Sequence, residues 1–100
     1  LRSGDCYYIM KDFNRAVTYY GLALDMGQGN ADYAMYQGAL ANGGMGDLNK
    51  KAEMLNSFHK RYPNSNLADD ALFELGTTYL IFEKNQQAIN SFTKLVDQYL

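Results

Sequence analysis

The 100-residue sequence has no tryptophan, and proline, cysteine and histidine occur once each. A single cysteine, Cys6, excludes an internal disulfide and leaves the redox compartment open. A single histidine, His59, excludes a two-histidine metal site. Excess positive charge is also missing: nine Lys and Arg stand against eleven Asp and Glu, a net of −2. Nonspecific nucleic-acid binding calls for a clear basic surplus, so no nucleic-acid partner is expected. The one basic cluster, Lys50, Lys51, Lys60 and Arg61, reads as a solvated helix face. No apolar run approaches the roughly 18 to 20 residues that cross a bilayer, so no direct membrane insertion is expected. The opening "LRSGDCYYIM" does not read as a signal peptide, because Asp5 interrupts it and no long apolar segment follows. With Asp5 ahead of it, Cys6 is not in a lipid-attachment context either.

What is present suffices for a core. Hydrophobic residues make up 47% of the chain, which argues against disorder, and the length suits one domain over 1–100. Glycine and Asn/Asp breaks divide it into six apolar-periodic segments, roughly 3–10, 13–26, 31–42, 47–62, 66–82 and 85–99. The fourth stops ahead of Pro63, since the residue before proline disfavours helix. Phe13, Ala16, Val17, Tyr20, Ala23 and Leu24 line one face of the second segment. Ala88, Ile89, Phe92, Leu95, Val96 and Tyr99 do the same in the last. Asp12, Asn30, Asp47, Ser65 or Asn66, and Asn85 stand where N-caps are needed. No segment alternates with period two, so the chain reads as all-α.

The sequence also overlays itself. An offset of 72 superposes Gly4 on Gly76, Tyr7 on Tyr79, Ala16 on Ala88, Val17 on Ile89, Tyr20 on Phe92 and Leu24 on Val96. A less regular middle copy has Gly38 as its glycine, Leu55 matching Tyr20 and Phe92, and Lys51 or Ala52 in the small-residue position. The average period of about 36 corresponds to one helix pair per repeat.

Catalytic chemistry finds little footing. A Cys6–His59 pair would need a nucleophile–base geometry that nothing in the pattern supplies. Asp69 and Asp70 are neighbours pointing about 100° apart, in a first helical turn where acidic residues favour the dipole. "GGMGD" (43–47) lacks the Lys-Ser/Thr of a phosphate loop and reads as an inter-helix turn. No catalytic residue, cofactor or metal site is expected, and the protein is not expected to be an enzyme. Among the tyrosines, Tyr7, Tyr20 and Tyr79 occupy pattern positions and are expected in the core. Tyr8, Tyr19, Tyr33 and Tyr36 are left to groove or surface.

In "LFELGTTY" (72–79), Leu72, Leu75, Gly76 and Tyr79 resemble the first half of a tetratricopeptide repeat, and "AINSF" (88–92) supplies its alanine and aromatic. Pro63 fits the proline that closes a repeat. The departures are the missing tryptophan, the longer period, and Leu100 where a second proline would stand. The resemblance implies antiparallel helix pairs, about two and a half repeats (roughly 1–30, 31–65 and 66–100), in a right-handed superhelical solenoid. It explains the glycine on an apolar helix face, at a cost of about 1 kcal/mol of propensity, as a close crossing of paired helices. "YPNSNLADDALFELG" (62–76) is also similar to the repeat variant of bacterial envelope lipoproteins, which implies a periplasmic or cell-envelope place rather than the cytoplasm.

The resemblance further implies that the first helix of each pair lines a concave surface. The face opposite its partner helix would present Leu1, Asp5 and Tyr8, then Met35, Ala39 and Asn42, then Phe73, Thr77 and Leu80. One subgroup of such repeats grips a C-terminal carboxylate with Lys, Arg and Asn there. This sequence has no Lys or Arg at those positions, and Asn42 lies off that spacing, so the groove is expected to be apolar with a little acid. Met35 and Phe73 are its expected anchors. The functional expectation is a noncatalytic module binding a protein or peptide partner in the groove. The alternative is a purely structural segment of a longer solenoid or oligomer, with weak self-association through the array ends.

Overall fold

A computed structural model describes residues 2–25, 30–82 and 85–99. Six helices follow in order: α1 (Arg2–Ile9), α2 (Phe13–Asp25), α3 (Ala31–Gly44), α4 (Leu48–Arg61), α5 (Ala68–Ile81) and α6 (Asn85–Tyr99). There is no strand among the described residues. Each helix packs on the next in the chain, from α1 on α2 to α5 on α6. The all-α array of helix pairs is therefore as the periodicity predicts. Leu1 and Leu100, and the side chains of Asn85 and Tyr99, lie outside the described residues.

The turns explain how the pairs close. After α1, Asp12 N–H donates to Tyr7 O at 2.8 Å and Lys11 N–H to Tyr8 O at 2.9 Å. After α3, Asp47 N–H donates to Asn42 O and Gly46 N–H to Gly43 O, at 2.9 and 3.0 Å. Both are Schellman closures with a left-handed residue, Gly46 at φ 86° and, unusually, Lys11 at φ 60°. The aspartate that ends each turn then caps the next helix. Asp12 accepts from Arg15 N–H at 3.4 Å and Asp47 from Lys50 N–H at 3.1 Å. Two of the expected caps differ. Asn30 precedes α3 but makes no side-chain cap bond. The residue before α5 is Leu67, and Ser65 works two positions earlier: its Oγ accepts from Leu67 N–H and donates to Asp32 Oδ2 at 2.6 Å.

The core forms two clusters. Met35, Ala39, Ala52, Leu55, Phe58, Ala68, Ala71 and Leu75 join α3, α4 and α5, while Ala16, Tyr20 and Ala41 join α2 and α3. Small residues dominate the helix–helix contacts, so a few large side chains fill the remaining space. Leu55 and Phe58 are wholly buried, each stabilising by about 1.5–3 kcal/mol. A Cβ on Gly4 would stand 2.8 Å from Tyr20 Cε1, and one on Gly76 would stand 2.5 Å from Phe92 Cε1. The glycines thus admit an aromatic ring from the paired helix. In the middle pair, the atom nearest a Cβ on Gly38 is Met54 Cε at 3.2 Å, although Leu55 is the buried residue of that turn. Of the two candidates for the small-residue position, Ala52 is buried, while Lys51 lies against Gly43 and pairs with Glu74 Oε2 at 3.0 Å.

Candidate functional site

Tyr20 crosses the bare backbone of Gly4, and its hydroxyl donates to Asp5 Oδ1 of α1. Tyr33 of α3 donates to the same oxygen at 2.8 Å. Gln37, one turn along α3, donates from Nε2 to the Tyr33 hydroxyl at 3.5 Å, and its Oε1 is buried without a partner among the described residues. Tyr20 and Tyr33 meet edge to face with centroids 6.4 Å apart. Together with Tyr8 and Ile9 these groups line a cavity of about 250 Å³ between α1 and α3.

The phenols there are held as donors. Burial raises the pKa of Tyr20 far above the ordinary phenol range, and the hydrogen bond to Asp5 and its charge add to the effect. Tyr33 is raised for the same causes in the same order. Tyr36, packed edge-on against Phe58, is pushed up to about 12 by burial first, then by Glu74 and Asp70 of α5. Tyrosines and carboxylates therefore run from α1 across α3 to α5.

The sequence-predicted groove residues do not form one surface. Asp5 and Tyr8 come together in the cavity. Met35, Ala39 and Asn42 are buried: the first two belong to the core cluster that includes Ala68, Ala71 and Leu75 of α5, while Met35 and Asn42 also line a cleft between α2 and α4 rather than the face toward α1 and α5. Asn42 donates to Gly38 O at 2.8 Å, anchoring its side chain to the helix. Phe73 and Leu80 are 54% and 47% exposed, and the Thr77 hydroxyl turns back to Phe73 O. Phe73 also touches Phe92, with centroids 6.1 Å apart, so it lies toward α6 rather than directly away from it. Leu1 lies outside the described residues.

Tyr20 and Gln37 are the site residues that the sequence did not place in the groove. Tyr20 was legible as core and is 1% exposed, but the signal of a second role was its hydroxyl: the aligned residue, Phe92, has none, and a buried phenol needs a partner. Tyr7 and Tyr79, also expected in the core, are only partly buried. Tyr7 stacks on Tyr19, which is 39% exposed.

Two other cavities carry different chemistry. A cleft of about 390 Å³ between α2 and α4, floored by α3, is walled by Val17, Leu24, Met35 and Met54 with Lys50, Glu53 and Arg61 at its rim. A smaller one between α4, α5 and α6 contains His59 and Lys94. Burial, then Lys94, lowers the pKa of His59, whose Nδ1 is buried without a partner among the described residues. Cys6 is exposed, and no group of three or more metal-ligating side chains occurs among the described residues.

Residues 33–65 match the family model described as tetratricopeptide repeat. A comparison with curated proteins finds no match. The matched stretch holds most of α3, all of α4 and the turn through Pro63, and the flanking pairs repeat its glycine-on-side-chain crossing. Residues 33–65 thus carry the likeness to a tetratricopeptide repeat, and repeats of this kind generally serve as noncatalytic protein-interaction or scaffold modules.

Proposed function

We propose that the chain docks a peptide or helix of a partner protein along the face built by α1, α3 and α5, without catalysing a reaction. The observation that supports this reading is the Asp5 cavity. A repeat needs only a ring against its glycine, and Phe92 supplies that on Gly76. At the equivalent seat, Tyr20 adds a buried hydroxyl and engages a carboxylate, which costs desolvation that packing alone does not require. Tyr8, Tyr33 and Tyr36 add amphipathic rings, a residue type favoured at interfaces, while Phe73, Thr77 and Leu80 extend the surface along α5. Selection of binders from a displayed random peptide library, followed by amide chemical-shift mapping, tests the reading. Shifts are expected at Asp5, Tyr8, Tyr33, Tyr36 and Phe73. Failure to select any binder, or shifts confined to α6, would overturn it.

A specific observation favours a second reading, a purely structural stacking segment. Met35 is 4% exposed in the core with α5, while its counterpart Phe73 is 54% exposed beside Phe92. A further helix laid on α5 and α6 would cover Phe73 as α5 covers Met35. Shifts confined to α6 would select this reading.

A further inference from the structure

Within the docking face just proposed, and resting on that reading, we infer that the Asp5 cavity is a socket for one basic side chain of the partner, with arginine its best occupant. Four features point to a cation. First, Tyr20 and Tyr33 both donate to Oδ1 of Asp5, and among the described residues Oδ2 takes no hydrogen bond. The carboxylate is thus oriented, with one oxygen left to receive a donor. Second, Gln37 spends its Nε2 on Tyr33, which leaves Oε1 as a buried acceptor without a partner among the described residues. Orphaned buried acceptors are uncommon, and a donor-rich ligand satisfies one. Third, Tyr8, Tyr20 and Tyr33 surround the space with aromatic rings, whose faces attract cations. Fourth, no Lys or Arg lines the cavity, so no positive side chain of its own lining neutralises Asp5.

Size narrows the ligand. Sites for whole small molecules run from about 300 to 1,000 Å³, and this cavity holds about 250 Å³. One side-chain head group suits it better than a metabolite. A guanidinium offers five donors in a planar fork that can serve Asp5 and Gln37 together while stacking on a tyrosine. An ammonium offers a point charge and three donors, so lysine should bind more weakly. Asp69 and Asp70, acids that influence Tyr36, continue the negative character along α5 beside the Glu74–Lys51 pair and favour a partner segment of net positive charge.

The test is an amide NMR titration of the whole chain with N-acetyl-arginine amide, N-acetyl-lysine amide and the uncharged N-acetyl-citrulline amide. Saturable shifts at Asp5, Tyr8, Tyr33 and Gln37 are expected with the arginine probe at millimolar concentration. They should be several-fold weaker with lysine and absent with citrulline. Asp5→Asn keeps an acceptor for both tyrosines and should reduce arginine affinity at least tenfold. Tyr33→Phe keeps the ring and should weaken it several-fold even if Asp5→Asn unfolds the chain. Equal binding of arginine and citrulline, or arginine shifts unaffected by Tyr33→Phe, would overturn the socket. Library peptides that map to this face but lack basic residues would also overturn it while leaving the docking reading intact. Saturable arginine binding here with no library binder at all would uphold the socket and sink the docking reading.

Discussion

Gly76 and Phe92 touch through the space a side chain would fill: a Cβ on Gly76 would stand 2.5 Å from the ring. Gly4 and Tyr20 repeat the arrangement at 2.8 Å. A leucine at Gly76 would gain helix propensity of up to about 1 kcal/mol but would have to expel the ring or spread the helices. Overpacking of this kind costs about 1–3 kcal/mol, and Phe92 also packs on Phe73. Gly76→Leu should therefore lower the thermal midpoint measurably. A melt superimposable on the parent would show that α5 and α6 do not cross as described.

Lys11 holds the left-handed position that Gly46 holds in the next turn, at φ 60° against 86°. A side chain there strains the backbone by about 1 kcal/mol or more, partly offset by the freedom glycine has when unfolded. Lys11→Gly should stabilise the chain by roughly 0.5–1 kcal/mol, and Gly46→Ala should destabilise it by a similar amount. Urea titrations of the two variants against the parent give the signs; a destabilised Lys11→Gly would contradict the turn geometry.

Periodicity made the helices legible, because apolar spacing and breaker residues are local properties. The segment expected at 47–62 is α4, Leu48–Arg61, and that expected at 66–82 is α5, Ala68–Ile81. The caps were legible where an aspartate both ended one turn and opened the next helix, at Asp12 and Asp47. The expected caps at Asn30 and at Ser65 or Asn66 give way to the Ser65–Asp32 contact, which joins residues far apart in sequence. The site was less legible for the same reason. Pattern positions on α3 say which way Met35 points relative to α4, but not that α5 covers it. The Tyr20–Asp5–Tyr33 network joins three helices, and only the odd hydroxyl at Tyr20 hinted at it.

The raised phenols give the stability a pH signature. A folded-state pKa above the unfolded value of 10.0 means that folding favours the protonated form. The contribution is complete below pH 10 and disappears as pH rises through the folded value, about 12 for Tyr36 and higher for Tyr20. Urea midpoints should therefore fall steadily above pH 10. By ultraviolet absorbance, Tyr20, Tyr33 and Tyr36 should ionise above pH 10 or only on unfolding. Tyr36→Phe should flatten part of the alkaline loss. Nine tyrosines titrating together near 10 in the folded chain would rule the network out.

The outer face of α6 leaves Ile89 and Val96 each 57% exposed, with the Phe92 ring between them. Their counterparts at the offset of 72, Val17, Tyr20 and Leu24, are at least partly buried where α2 meets α3. A helix laid on α6 as α3 lies on α2 would bury the same three positions again. Burying two or three such side chains stabilises by about 1.5–3 kcal/mol each, against an association cost of about 4–15 kcal/mol. The gain at most narrowly exceeds the cost, so a second copy should associate with a Kd no tighter than millimolar order, about 4 kcal/mol. Sedimentation at millimolar protein should show reversible self-association. Val96→Lys should abolish it without lowering the melting temperature, because the side chain is mostly in solvent. A strict monomer at that concentration, or association that survives Val96→Lys, would show that this face is not where copies meet.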